Sequence, residues 1–250
     1  MSDDRYRYSF ETVAEQYERA RPLYADAAVD WLAERLGLGP GSRVLDLAAG
    51  TGKLTRQLLE RGFDVVAVEP GDEMRGVLER VVPGVEALRG VAEAIPLRDA
   101  SVDAVTVGQA FHWFDAPAAL AEIRRVLRPG GGFALLWNRW DEDDPLLGTV
   151  DELLARVRPQ AAQEASWCEA CGVPLEERTF RQRRPLTADA LVEWAGSTSG
   201  FVNAPRTEQE RIAGEIRRLA AAHEGEVVIA TELSVGQLSD GSSGIRATSS

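Results

Sequence analysis

Residues 44–55 constrain this chain more than any others: Val44-Leu45-Asp46-Leu47-Ala48-Ala49-Gly50-Thr51-Gly52-Lys53-Leu54-Thr55. A short apolar run ends on small residues and two glycines, then passes into helical periodicity. That is a buried strand, a tight turn and the first turn of a helix. Glycine is wanted where backbone must approach a ligand, because a Cβ there would collide with it. The helix N-terminus beyond the turn offers unpaired N–H groups, and Asp46 adds a carboxylate just before it. Two familiar phosphate-binding patterns fail here. A P-loop requires four residues between its first glycine and Gly-Lys, then Ser or Thr, whereas Gly50-Thr51-Gly52-Lys53-Leu54 has one residue and then leucine. A dinucleotide fingerprint requires G-x-G-x-x-G, and Ala48 to Lys53 has the wrong third interval. An ordinary glycine-bearing strand-to-helix turn remains the alternative.

Around this turn the chain alternates short apolar runs with amphipathic segments, the mark of an α/β fold whose mostly parallel sheet is covered on both faces. Strands are expected at 43–48, 64–68, 85–88, 102–108, 133–137, 175–184 and 227–235, seven in all. Helices are expected at 24–37, 52–61, 72–81, 116–127, 145–157, 160–170, 188–195 (with Thr187 as N-cap) and 206–223. The glycines after Arg128-Pro129 read as the turn that stops the fourth of these helices. One domain over 1–238 follows, with an N-terminal lid over about 5–36 and a small helical cap within about 141–204. The Ser- and Gly-rich residues 239–250 read as a disordered tail.

Charge narrows the partners. The net charge is −12 and Lys53 is the only lysine, which argues against gripping a nucleic-acid backbone. No apolar run is long enough to span a membrane, and the acidic, polar start is unlike a signal peptide, so the cytoplasm is the expected compartment. Cys168 and Cys171 form a single CxxC. A zinc site needs two more ligands, and the two histidines, His112 and His223, form no ligand-spaced pair, so no metal is expected.

In open parallel sheets ligands sit beyond the carboxyl ends of the strands. The second strand ends at Glu69-Pro70, about 20 residues past the glycines, where a carboxylate is placed to accept a ribose diol. Met74 is placed to pack on a flat ring or in the core. The fourth strand delivers Gln109-Ala110-Phe111-His112-Trp113-Phe114-Asp115, and four consecutive rings at such an end are costly to expose, so they read as a pocket wall. His112 is the candidate general base, with a purely structural role as the alternative. Arg21 and Arg139 are candidates to hold an anionic acceptor, or are surface charges.

Taken together, these residues resemble the class I S-adenosylmethionine (SAM) dependent methyltransferases. That family reads acidic, then G-x-G-x-G; here Asp46 is followed by Ala48, Gly50 and Gly52, with alanine in the first glycine's place. Gly90-Val91-Ala92-Glu93-Ala94-Ile95-Pro96-Leu97 is similar to its G-D-A-E-x-x-P-F segment, with valine for the usual aspartate. Phe10, Tyr17, Arg21, Pro22 and Tyr24 match the N-terminal lid of small-molecule members. Gln109 to Phe114, the R-V-L-R-P-G-G of 125–131 and the late Leu191-to-Ser199 segment resemble the methyltransferase type 11 group near the trans-aconitate methyltransferases. The resemblance implies a Rossmann-like class I methyltransferase fold and S-adenosyl-L-methionine as cofactor. It implies cofactor contacts from Asp46, Ala48, Gly50, Gly52, Glu69, Pro70, Met74, Ala92, Glu93 and Gln109. Acceptor contacts are expected from Arg21, Phe111, Trp113 and Arg139. The expected activity is methyl transfer to a small molecule, at a carboxylate or hydroxyl oxygen, by a monomer or weak homodimer. A non-catalytic SAM-binding protein and a nicotinamide oxidoreductase on a similar fold remain the competing readings.

Overall fold

The computed structural model describes residues 14–141, 143–157, 174–223 and 226–237. The expected helix at 160–170, Phe10, the CxxC pair Cys168 and Cys171, and the tail lie outside the described residues.

The sheet grows outward from the glycine turn. Strand β1 (Arg43–Leu47) lies between β2 (Asp64–Val68) and β4 (Val102–Gly108), both parallel to it. Strand β3 (Glu86–Leu88) extends the sheet beyond β2, and β5 (Leu127–Trp140) extends it beyond β4. Strand β7 (Glu226–Gln237) runs antiparallel to β5 and to β6 (Leu175–Pro185), completing seven strands in the order β3-β2-β1-β4-β5-β7-β6. The chain leaves β1 toward one edge and returns through β4 toward the other, so strand order reverses between β1 and β4. Such a reversal opens a crevice beyond the carboxyl ends, where ligands bind.

Alternation along each strand divides the core in two. Leu45, Leu47, Val66, Val68, Val105, Val107, Phe133 and Leu135 point to one face and meet Ala119, Leu120 and Ile123 of α5 (Ala116–Val126). Val44, Val65, Ala104, Ala134 and Leu136 point to the other, against α2 (Asp26–Arg35) and α3 (Lys53–Glu60). The middles of these strands are therefore buried on both faces, with exposed polar residues such as Asp64 and Arg128 only near strand starts, as parallel strands covered on both sides require.

A third core occupies the stretch expected to hold the cap and also takes in the helix beyond residue 204. Helices α6 (Pro145–Ala155), α7 (Ala188–Gly196) and α9 (Arg206–Ala221) bring together Leu147, Val150, Leu191, Ala195, Ile212 and Ile216. Trp140, at the end of β5, stacks on Trp194 of α7 with ring centroids 3.8 Å apart. Thr187 caps α7 by accepting the Ala190 N–H at 3.1 Å, as the sequence pattern predicts. One Asp144 oxygen caps α6 through Leu146 and Leu147, both at 3.0 Å. Its other oxygen accepts the Val228 N–H at 2.9 Å, pinning the cap to β7.

Most expected elements appear within a residue or two of their limits. The strand expected at 133–137 differs: β5 spans 127–140 and takes in the glycine run read as a turn. Val102 pairs with Leu127, and regular pairing resumes with Ala104 and Gly132 after a register shift. Neighbouring backbone closes on Gly131 and Gly132, whereas Gly130, with φ of 82°, keeps the left-handed geometry of a turn. A Cβ on Gly131 would lie 2.8 Å from the Asp103 carbonyl, and one on Gly132 would lie 2.7 Å from the Gly236 carbonyl. Among the described residues no helix is long and apolar enough to cross a membrane.

Candidate active site

Beyond the ends of β1, β2 and β4 lies a cavity of about 210 Å³. The glycine turn forms its floor. Ala48, Gly50 and Gly52 have φ of 56°, 58° and 84°, so all three positions of the turn are left-handed, including the one held by alanine. That conformation costs a residue with a Cβ about 1–2 kcal/mol. Ala48 and Gly50 line the cavity. Gly52 does not; a Cβ there would sit 3.1 Å from Leu78 and Val82, so it serves the packing of α3 on α4 (Asp72–Val81).

Glu69, at the end of β2, is 8% exposed and faces the cavity. Its Oε2 accepts the Gly50 N–H at 2.8 Å and its Oε1 the Gly71 N–H at 2.9 Å. Pro70, Met74, Gly90 and Ala92 continue this wall. Met74 packs with Ala14 and Val77 and also lines the cavity. Glu93 does not line the cavity; its Oε1 accepts the Asp115 N–H at 2.9 Å.

Asp46 sits beneath the turn. It is 1% exposed, its Oδ2 accepts the Thr55 hydroxyl at 2.6 Å, and it borders a smaller void of about 40 Å³ beside the main cavity. Burial and the nearby Glu69 carboxylate push its carboxyl up to about 7, against the hydrogen bonds from Thr55 and Thr106.

The aromatic run closes the far wall. Phe111 turns inward, 2% exposed, edge-on to Phe114 at 5.6 Å, and does not line the cavity. His112, Trp113 and Phe114 do. The His112 ring lies 4.5 Å from that of Trp113. The residue is exposed where it lines the cavity, and the packing around its ring, with the Arg139 and Arg21 guanidiniums, pushes the imidazole down to about 4. At neutral pH it therefore carries a free-base ring, not an imidazolium. Arg139 does not line the cavity: its Nε bonds Glu232 at 2.6 Å, and it acts on His112 through its charge. Gln109, also left-handed with φ of 60°, lines the cavity while its Nε2 donates to the Asn138 carbonyl at 2.9 Å.

Helix α1 (Ala14–Ala20), in the stretch expected to form the lid, borders the cavity through Tyr17. Glu18 accepts the Thr51 hydroxyl at 2.6 Å, pairs with Arg56 at 2.8 Å and lies 3.4 Å from the Lys53 ammonium, which also donates to the Glu18 carbonyl at 2.5 Å. Arg21 donates to the Ser197 hydroxyl at 2.8 Å and carbonyl at 3.2 Å, joining the lid to the cap. Tyr17 and Arg21 thus become cavity walls, and Thr198 and Ser199 line it from the cap side. The last two were not singled out from sequence. Their position in the Leu191-to-Ser199 segment was the available signal.

A glycine turn, a carboxylate at the end of the next strand and an aromatic run at the end of the fourth define a class I nucleoside-cofactor fold. The chain belongs to the methyltransferase family. Residues 45–135 match the family model described as a methyltransferase domain. An uncharacterized methyltransferase of Mycobacterium tuberculosis is 40% identical over 215 residues, 86% of each chain. A demethylmenaquinone methyltransferase of Renibacterium salmoninarum is 34% identical over 72% of this chain and 71% of its own. The solved structure of a putative type II methyltransferase from Anaeromyxobacter dehalogenans superimposes with a TM-score of 0.66 at 29% identity, over 88% of this chain and 99% of that one. The protein is a SAM-dependent methyltransferase, and S-adenosylmethionine is its cofactor.

Proposed function

We propose that residues 1–238 act as one catalytic domain that methylates an oxygen, carboxylate or hydroxyl, of a small molecule in the cytoplasm. One observation carries this: a single cavity runs from the glycine turn to His112, Trp113 and Phe114, and both the lid and the cap contribute to its wall. A cavity walled on several sides in this way suits a nucleoside cofactor and a compact acceptor. The named activity of the Renibacterium relative, on demethylmenaquinone, supports a small-molecule acceptor.

The residues present fit the cofactor. Glu69 supplies acceptors for a ribose diol, Met74 and Ala92 supply apolar surface for a base, and the left-handed turn at Ala48–Gly50 leaves room for close approach of a chain. Arg21, reached from the same cavity, supplies a cation for a carboxylate, whether of cofactor or acceptor. When bound, the sulfonium supplies an activated methyl group. The protein's part is positioning and exclusion of water. Trp113 and Phe114 present flat apolar surface to an acceptor, Thr198 and Ser199 present hydroxyls, and α1 covers the opening. For a hydroxyl acceptor, the neutral His112 ring has a lone pair to take the proton. For a carboxylate acceptor no base is needed, and the same ring shapes the pocket.

The test is calorimetric titration with SAM, S-adenosylhomocysteine and NAD, followed by a mass-spectrometric screen of small acids, phenols and alcohols for a methyl gain. Binding of the first two, no binding of NAD and transfer to an oxygen of one acceptor class are expected. Binding without transfer to any class overturns the catalytic assignment, and transfer to carbon or nitrogen overturns the oxygen assignment.

A further inference from the structure

Strand β6 is an edge of the sheet: its eleven residues pair with β7 on one side, and no described strand covers the other. An exposed edge of this length offers a row of backbone donors and acceptors to another strand. Its sequence, Leu175-Glu176-Glu177-Arg178-Thr179-Phe180-Arg181-Gln182-Arg183-Arg184-Pro185, separates charge by end, with acids leading and bases trailing. Among the described residues Arg183 and Arg184 make no ion pair. In a chain of net charge −12 such a basic end has an obvious electrostatic complement in another copy's acidic end.

We propose that β6 is the surface through which two copies of this chain associate, the strands pairing antiparallel about a twofold axis at Phe180. A twofold axis perpendicular to the sheet keeps every side chain on its own face, so the pairing must centre on a residue. Centring on Phe180 sets Glu176, which also pairs with Arg35 of its own chain, against the partner's Arg184 on one face, and Glu177, which also accepts the Ser234 hydroxyl at 3.1 Å, against the partner's Arg183 on the other. Symmetry repeats both contacts, and no like charges stand opposite each other. The neighbouring centres do worse. Arg178 or Arg181 at the centre faces its own copy, and Gln182 at the centre sets Arg181 against Arg183. Thr179 at the centre sets Glu177 against Arg181 but Glu176 against Gln182 and Arg183 against Leu175, so it makes one kind of charge pair where Phe180 makes two. Opposite charges directly across strands favour a register and like charges disfavour it, so this edge selects one.

The surroundings agree. Phe180 packs against Trp31 of α2 with centroids 6.0 Å apart, and Arg178 lies 5.0 Å above the Phe180 ring, giving the centre of the edge an apolar base. Leu23 is 36% exposed, and its carbonyl accepts the Gln182 side chain at 3.2 Å, placing it beside this strand. Surface ion pairs around a short ladder make a weak, salt-sensitive dimer.

Sedimentation equilibrium on the full chain tests this. In low salt the wild type is expected to move from monomer to dimer as its concentration rises toward about 0.2 mM. Its dissociation constant is expected to rise at least tenfold in about 0.5 M NaCl, where screening is short-ranged. R183E/R184E makes both ends of the strand acidic, and E176R/E177R makes both ends basic. Each variant alone is expected to stay monomeric, and an equimolar mixture to form a heterodimer. A wild type that stays monomeric throughout overturns the proposal without recourse to variants. So does dimerisation of either variant at wild-type strength, or a mixture of folded variants, checked by their melting curves, that fails to associate.

Discussion

The Glu69 carboxylate accepts the backbone N–H of Gly50 at 2.8 Å, tying the end of β2 to the turn that follows β1. The same carboxylate holds the Gly71 N–H at 2.9 Å, so one side chain sets the relative position of two loops on the floor of the cavity. Replacing it removes the acceptor proposed for a ribose diol and loosens the turn together. Glu69→Ala is expected to weaken SAM binding at least tenfold, about 1.4 kcal/mol. Calorimetry on both proteins decides this, and equal affinities would remove Glu69 from the cofactor site.

Ala48 holds a left-handed φ of 56° that glycine adopts freely. The strain of about 1–2 kcal/mol exceeds the extra unfolded-state entropy that glycine brings, about 0.4–1 kcal/mol. Ala48→Gly is therefore expected to stabilise the fold by roughly 0.5–1 kcal/mol. A denaturant melt with a lower midpoint for the variant would show that the alanine methyl makes compensating contacts.

The Asp46 carboxyl, pushed up to about 7 in the fold, lies well above its unfolded value of about 3.9. Below the unfolded value both states are protonated and its contribution is fully present. As pH rises toward 7 the unfolded state releases its proton first, and stability falls by at most about 1.4 kcal/mol per pH unit. Asp46→Asn has no such titration. The stability of the wild type relative to this variant, measured without cofactor, should be greater at pH 5 than at pH 8; a difference that does not move with pH means the buried group is already ionised.

His112 is held down to about 4, so a proton transfer that uses it should not lose rate until pH falls toward that value. With a hydroxyl acceptor, His112→Ala is expected to lower kcat by about 10²–10⁴-fold with little change in KM. The acid limb of the wild-type kcat/KM profile should lie near 4. A limb near 6.5, or an unimpaired kcat in the variant, would assign the residue to pocket shape alone.

Glu18 binds Thr51, Lys53 and Arg56 at once, and so fastens α1 to the start of α3. Glu18→Ala should release the lid, speeding SAM dissociation at least fivefold in stopped flow and exposing α1 to limited proteolysis, with an unfolding midpoint near that of the parent. Unchanged dissociation would mean that α1 does not gate the cavity.

Local patterns carried the strand-turn-helix units a long way. Strand β2 and helix α4 have the limits that period and punctuation predict, because alternation and helix-stop signals are properties of a few adjacent residues. The glycines after Arg128 misled for the complementary reason. Their role depends on the Asp103 and Gly236 carbonyls, which come from distant strands and close on them only in the folded sheet.

The same division holds at the site. From sequence alone came the class of fold, the glycine turn, Glu69 at the next strand end and the aromatic run, all of which lie where chain direction and strand order put them. Tertiary structure decided which of these residues face the cavity. Phe111 is drawn into the core, Glu93 is taken by Asp115, Arg139 is held by Glu232 and Gly52 is claimed by helix packing. It also brought Thr198 and Ser199, about 150 residues beyond the turn, to the same cavity, and set the protonation of Asp46 and His112. Spacing along a chain encodes backbone geometry, whereas solvation and the company of distant charges exist only once the chain has closed on itself.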